Sequence, residues 1–359
     1  MAKLTSPEVN ITFVEKGASA ITRSERGVVE LVLVDSSAKE ATTYTCYTVA
    51  DIPSTLTTDN QAYISDALKG YQTAPKKVNV YVMPDAETET YKAMMKALER
   101  IKWDWFACPT VETDGQAETI ATWIKGLRST EKLMRKAVLP NQAADNEGVV
   151  NVVASIYDTD GIEITPEQLT PRIAGLICGT PMNISATYAP LNEYSDCTRY
   201  SKDDADAAVG AGKLIFIFDG EKVKLNRAVN SFCSTTDTKG DSYKKIKIVE
   251  TMDMIYDDIR STCEDSYIGK FANSYDNKCL LITAIQAYFN ELIRSTLLQS
   301  ASVSIDLEAQ KNYLMSQGED VDNMTDDEIK EANTGSHVFL RANISILDAM
   351  EDIDLEIDI

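Results

Sequence analysis

The sequence contains one histidine, His337, in 359 residues, and no stretch of it approaches the roughly 18 consecutive apolar residues that span a membrane. His337 stands at the start of a strand pattern with no serine or cysteine nucleophile motif to partner it, so a catalytic triad is not expected. The seven cysteines (Cys46, Cys108, Cys178, Cys197, Cys233, Cys263 and Cys279) are odd in number and show no C-x-x-C spacing. They read as reduced thiols, not as a disulfide or metal framework. A phosphate loop is missing too. Gly210-Ala211-Gly212-Lys213 lacks the upstream glycine and continues with Leu214 where a Ser or Thr is needed, so it reads as a helix-to-strand turn. Asp158-Thr159-Asp160-Gly161 opens like a calcium loop without the later ligands or the closing glutamate, and reads as a turn. No metal or cofactor is expected. Basic residues number 35 against 56 acidic ones, and the resulting net charge of −21 argues against nucleic acid and anionic membrane as partners. Met1-Ala2-Lys3-Leu4 leads into a polar, proline-containing segment without an apolar signal core, so folding in a cytoplasm is expected.

What is present is an ordinary globular composition, 44% apolar and 25% charged, in a chain long enough for one large or two moderate domains. Val28–Val34 is apolar on both faces, as in a buried strand covered on both sides. Strand-like runs follow at Lys77–Met83, Trp103–Ala107, Lys136–Leu139, Val149–Ala154 and Leu214–Phe218. Helical patterns at Asn60–Leu68, Thr88–Arg100, Gln116–Leu127 and Thr165–Cys178 lie among them, the last opened by the capping box Thr165-Pro166-Glu167-Gln168. The alternation predicts an α/β fold with a mixed sheet flanked by helices. After about Asn230 the pattern turns mainly helical, with helical spacing from Ile246 to Tyr267, a second apolar helix from Cys279 to Leu298 and a short acidic helix behind the capping box at Thr325–Glu328. A strand pattern returns at Val338–Ile346.

Both ends carry extended patterns. Val9, Ile11 and Phe13 alternate with polar residues and are set apart by Lys16-Gly17-Ala18-Ser19. Ile353, Leu355, Ile357 and Ile359 alternate with Asp352, Asp354, Glu356 and Asp358 up to the last residue, giving a strand with one apolar and one acidic face. Such a strand either folds back as a charged edge or adds to the sheet of another molecule. The domain reading is an N-terminal arm at 1–22, an α/β body at 23–230, a C-terminal domain at 231–347 and a C-terminal arm at 348–359. Two basic clusters, Lys125, Arg128, Lys132, Arg135 and Lys136, and Lys244, Lys245 and Lys247, read either as solvated surface or as contacts that let like-charged subunits meet.

In order and over nearly the full length, the chain resembles the tail sheath family of contractile phages, phage-like particles and R-type bacteriocins. The resemblance rests on Val9-Asn10-Ile11-Thr12-Phe13, Arg23-Ser24-Glu25-Arg26-Gly27-Val28-Val29, Leu169-Thr170-Pro171-Arg172-Ile173-Ala174-Gly175-Leu176-Ile177-Cys178-Gly179-Thr180-Pro181 and Arg227-Ala228-Val229-Asn230-Ser231. Further on it rests on Ile268-Gly269-Lys270 and Tyr275-Asp276-Asn277-Lys278, which look like the Gram-positive phage pattern. The chain has no room for the extra outward domains of large sheaths and carries both halves in one chain, unlike two-protein type VI secretion sheaths.

The resemblance implies a structural subunit, not an enzyme, that polymerises helically around an inner tail tube protein and contracts to drive the tube through a bacterial envelope without nucleotide. It implies that the terminal arms of neighbouring subunits meet in a shared sheet, here Val9, Ile11 and Phe13 with Ile353, Leu355, Ile357 and Ile359. It also implies a tube-facing C-terminal domain, with Asp257, Asp258, Arg260, Lys270 and Lys278 as candidate tube contacts. The implied partners are further copies, the tube, and baseplate and tail-terminator proteins, with no nucleic acid and no membrane insertion. The implied location is a virion or bacteriocin particle, assembled in the host cytoplasm and released by lysis. A cytoplasmic α/β small-molecule enzyme or binding protein is the alternative, since such sheets host many activities. A subunit of another polymer, such as a surface layer or tube, is a third.

Overall fold

The computed structural model describes residues 20–23 and 26–358, so Val9, Ile11, Phe13 and Ile359 lie outside the described residues. The described residues form two compact units, 26–257 with 346–358 and 20–23 with 258–345. The division falls inside a helix, downstream of the change of character read near Asn230.

The larger unit is built on β1 (Val28–Val34), β2 (Thr42–Cys46), α1 (Thr58–Lys69), β3 (Lys77–Met83), α2 (Thr88–Leu98), β4 (Trp105–Ala107), α3 (Ala117–Ser129), β5 (Lys136–Pro140) and β6 (Val149–Val152). There follow β7 (Ile156–Tyr157), β8 (Glu163–Ile164), α4 (Thr170–Cys178), β9 (Asp196–Cys197), α5 (Lys202–Gly210), β10 (Lys213–Leu214), β11 (Phe216–Phe218), β12 (Val223–Leu225) and α6 (Ile246–Thr262), whose C-terminal end enters the second unit. The main sheet has the order β10-β6-β5-β4-β1-β3-β2, parallel throughout except for β2, which pairs antiparallel with β3 at one edge.

The apolar run of β1 is explained by its central place, because alternate residues serve two cores. Val29, Leu31 and Leu33 join one with α1 and α4, while Val28 and Val32 join the other with α2 and α3. Each such side chain contributes about 1.5–3 kcal/mol by burial. Gly175 sets the approach of α4 to α1, since a Cβ there would lie 2.0 Å from the Ala67 carbonyl oxygen. Arg172 of the same helix donates to the Gly70 carbonyl at 2.8 Å and to Glu193 at 2.5 Å. The long central motif is therefore a packing device. Its capping box forms, with Thr165 N 3.0 Å from Gln168 Oε1, but it closes a turn and α4 begins only at Thr170.

Two strand and helix expectations need correction. Leu214–Phe218 is not one strand, because the chain breaks at buried Ile215, leaving β10 on the main sheet and β11 in a hairpin with β12. The helix expected over Cys279–Leu298 is α7 (Tyr275–Arg294). Thr296 takes a left-handed φ of 56°, and Leu297 N bonds Leu292 O at 3.0 Å, a Schellman-type stop that turns the chain into β13 (Leu298–Ile305).

The second unit continues with α8 (Leu307–Ser316), α9 (Asp326–Glu331) and β14 (Leu340–Ile346). It also contains a π-helical turn at Cys263–Tyr267, and α7 buries Ala284, Ile285, Tyr288, Phe289 and Leu292 as a stripe at helical spacing. The box at Thr325 closes on Glu328 and starts α9. β13 and β14 form a two-stranded sheet. Asp306 N bonds Phe339 O at 3.0 Å, and Ser345 reaches Gln299 at the opposite end, so the pair is antiparallel. His337 packs against Tyr313 and Phe339, with ring centroids 4.9 and 6.1 Å away. No helix among the described residues is long and apolar enough to cross a membrane.

Candidate functional site

Of the first basic cluster, Arg128, Arg135 and Lys136 are buried inside the larger unit. They are neither solvated nor available to a neighbour, which corrects both readings of them. The reason is α6, where Glu250, Asp253 and Asp257 recur at helical spacing on one face. Lys136 Nζ lies 3.0 Å from Glu250 and 3.1 Å from Asp253, Arg128 holds Asp253 at 2.8 Å, and Arg26 meets Asp257 at 3.4 Å. Burial alone would raise the Asp253 carboxyl, but Lys136 and Arg128 outweigh it and hold it below the ordinary value. Arg135 donates to the Trp103 carbonyl at 2.6 Å and lies over the Trp103 ring. Gly148 leaves room for Arg128, whose Cδ would lie 2.4 Å from an added Cβ. This network occupies the N-terminal ends of β1, β4 and β5, the edge opposite the one where open α/β sheets bind ligands.

The second cluster has a different task. Lys245 pairs with Asp348 and with Glu351 at 3.2 Å, and Lys247 donates to the Leu347 carbonyl. Arg227 pairs with Asp352. The Glu351 side chain is 5% exposed and accepts from Ser185 Oγ at 2.9 Å and Thr187 Oγ1 at 2.6 Å. Thr187 Oγ1 in turn accepts from Ala228 N at 3.0 Å. Residues 347–352 are thus fastened to the body by the loop at 185–187, the Arg227-Ala228 segment and the start of α6. Glu351 was not singled out in the sequence, where it is one acid among many; only its two hydroxyl partners and Lys245 set it apart.

Beyond that root, residues 353–358 make no hydrogen bond or ion pair among the described residues. Ile353, Leu355 and Ile357 are 80%, 77% and 73% exposed, and residues 347–358 form no strand within the described chain. The apolar face read in the sequence is bare here.

The other candidate contacts separate by burial. Asp258 is fully buried and accepts from the Tyr288 hydroxyl at 2.7 Å, and Lys278 is 3% exposed, so neither presents a surface. Asp257 is half-buried on Arg26. Arg260 remains at the surface beside Glu264, and Lys270 is exposed after the turn at Gly269. Among the described residues no group of His, Cys, Asp and Glu is arranged to hold a metal ion.

Models of the phage tail sheath protein central domain and the phage tail sheath C-terminal domain match residues 85–231 and 238–359. A tail sheath protein of Clostridium phage phiCD119 is 39% identical over 97% of this chain and 98% of its own. Among solved structures, a sheath tail protein from Desulfitobacterium hafniense superposes with a TM-score of 0.70 at 19% identity, covering 83% of this chain and 94% of its own. One from Listeria innocua gives 0.68 at 16%, covering 93% and 97%. The sheath complex of an extracellular contractile injection system, PVC, in its contracted state gives 0.66 at 12%, covering 100% and 98%.

The two matched domain models and the full-length relative define the class as structural proteins of contractile tails. The chain belongs to the phage tail sheath family and is a subunit of a contractile sheath, at home in a phage or phage-like tail particle.

Proposed function

We propose that the chain polymerises helically around an inner tube protein and shortens on release by a baseplate, driving the tube through a bacterial envelope. The observation that carries this reading is the C-terminal segment, fastened at 347–352 and bare at Ile353, Leu355 and Ile357. A bare apolar face beside unpaired backbone is stabilised by adding to the sheet of a second copy. With roughly four to six new backbone bonds at about 0.5–1.5 kcal/mol each, one joint contributes several kcal/mol before ordering costs. Val9, Ile11 and Phe13 serve as the N-terminal counterpart and Ile359 extends the C-terminal arm. Arg260 and Lys270 are the candidate tube contacts left at the surface, while Asp257, Asp258 and Lys278 act inside the subunit. Baseplate and tail-terminator proteins bound the polymer, which assembles in the host cytoplasm and leaves by lysis.

Negative-stain electron microscopy of the full chain beside a chain ending at Asp352 tests the reading. Striated hollow cylinders from the full chain alone support both polymer and arm. Cylinders from both keep the polymer and discard the arm, and single particles from both, even with the tube protein supplied, overturn the polymer.

A further inference from the structure

The calcium-like run Asp158-Thr159-Asp160-Gly161 builds a stiff turn between β7 and β8. Asp158 Oδ1 accepts from Asp160 N at 2.9 Å and from Ile162 N at 2.8 Å, while Asp158 N donates to Ile162 O at 3.0 Å. Gly161 takes the left-handed φ of 78° that the turn requires, and the Ser195 hydroxyl braces it from outside on the Tyr157 and Asp158 carbonyls. At the apex Ile162 stands in water, 62% exposed, with Asp160 and Glu163 exposed beside it. A side chain held out on so fixed a backbone gives up little conformational freedom when a partner covers it.

The same unit contains a cavity of 390 Å³ with apolar walls from Trp105, Ile177, Met182, Ile184 and Ile246. Three cations also line it: Lys76, exposed at the rim, Lys247, and Arg26, whose Nε is buried with no acceptor among the described residues. Asp104 and Glu250 reach the cavity too, but both carboxylates are engaged. Asp104 accepts from Val28 N at 2.9 Å, and Glu250 accepts from Trp105 Nε1 at 2.8 Å and meets Lys136 at 3.0 Å. An occupant that suits this lining brings an apolar side chain together with a carboxylate, the pair that Ile162 and Glu163 present.

Turn and cavity lie at opposite ends of the body. The turn follows the C-terminal end of β6, whereas the cavity sits at the N-terminal ends of β1 and β4, and α4, which starts after β8, reaches it with Ile177 and Cys178. Two unlike, complementary surfaces at opposite ends of one unit make a head-to-tail contact, which repeats from copy to copy and builds an open helical stack.

We propose that the cavity receives the β7–β8 turn of a second copy, with Ile162 against Ile177 and Met182 and the Glu163 carboxylate beside Lys76. This rests on the polymer proposed above and names a contact of the bodies that is independent of the arms.

The test is the critical concentration for polymer, read by sedimentation and checked as striated cylinders in negative stain, for the full chain with the tube protein supplied. Ile162→Asp is expected to raise it about tenfold or more, with the melting temperature of the unassembled chain unchanged because the site is exposed. Glu163→Lys and Lys76→Glu are each expected to raise it several-fold, and the two together to return it close to wild type. Mutual rescue of this kind is not produced by two independent losses of structure. Single reversals without effect, or reversals that add instead of rescuing, place the turn on another surface and overturn the proposal. Assembly of Ile162→Asp at the wild-type concentration also overturns it and leaves the polymer standing. A wild-type chain that forms no cylinders overturns both.

Discussion

The two basic clusters look alike as sequence and behave as opposites in the fold. In the first, Arg128 and Lys136 are sealed against Asp253 and Glu250, with their charges removed from water. In the second, Lys245 sits at a partly exposed surface and holds acids that arrive from the far end of the chain. The buried cluster fixes the middle of α6 on the sheet, because losing one partner strands the other in a medium of low polarity. The second cluster positions a segment at lesser cost, because Lys245 and Asp348 are partly exposed and water competes for their charges. A strut and a fastening have been made from the same residue types.

The largest effect separating them is expected from Lys136→Met. It leaves Glu250 and Asp253 short of a counter-charge, and chemical denaturation is expected to show a loss of about 3–5 kcal/mol. Next comes Glu30, buried on β1 with Asn79 donating to it at 3.1 Å and raised by burial to about pKa 7. An acid with a raised folded pKa contributes its full stability below its unfolded value near 4.5 and loses it as pH rises through 7. Glu30→Gln is therefore expected to stabilise the protein by roughly 3 kcal/mol at pH 8 and to match wild type near pH 4, in denaturant midpoints at both values. Glu351→Gln is expected to cost about 1–3 kcal/mol in the same assay and to speed limited proteolysis within 347–358 several-fold, since its Lys245 pair and hydroxyl bonds hold the root. Lys125→Gln, a half-buried member of the first cluster, is expected to stay within about 0.5 kcal/mol. If it matched Lys136→Met instead, the strut would extend to the helix surface.

Much of the body was legible because its signals are local. β1 and β3 follow from apolar runs, and the capping box at Thr325 opens α9 as read, while the one at Thr165 forms but closes a turn ahead of α4. β2 was passed over because Thr-Thr-Tyr-Thr-Cys on an antiparallel edge lacks an apolar run. The break at Ile215 depends on which sheet each half joins, and the burial of Arg128 and Lys136 depends on carboxylates more than a hundred residues later. Neither is written in a neighbouring residue. The exposed apolar positions at 353, 355 and 357 were legible by alternation, whereas the Glu351 fastening was not, since its partners at 185, 187 and 245 meet only in the fold.

The fastening at Asp352 also sets a length. Six residues, 353–358, span at most about 20 Å when extended. In the proposed arm exchange, an edge that pairs with these six residues lies within that radius of Asp352 in either state of the lattice. On that reading the reach is a ceiling on how far two linked subunits part, whatever rotations and translations separate the end states, like a tether that turns freely but cannot be drawn past its length.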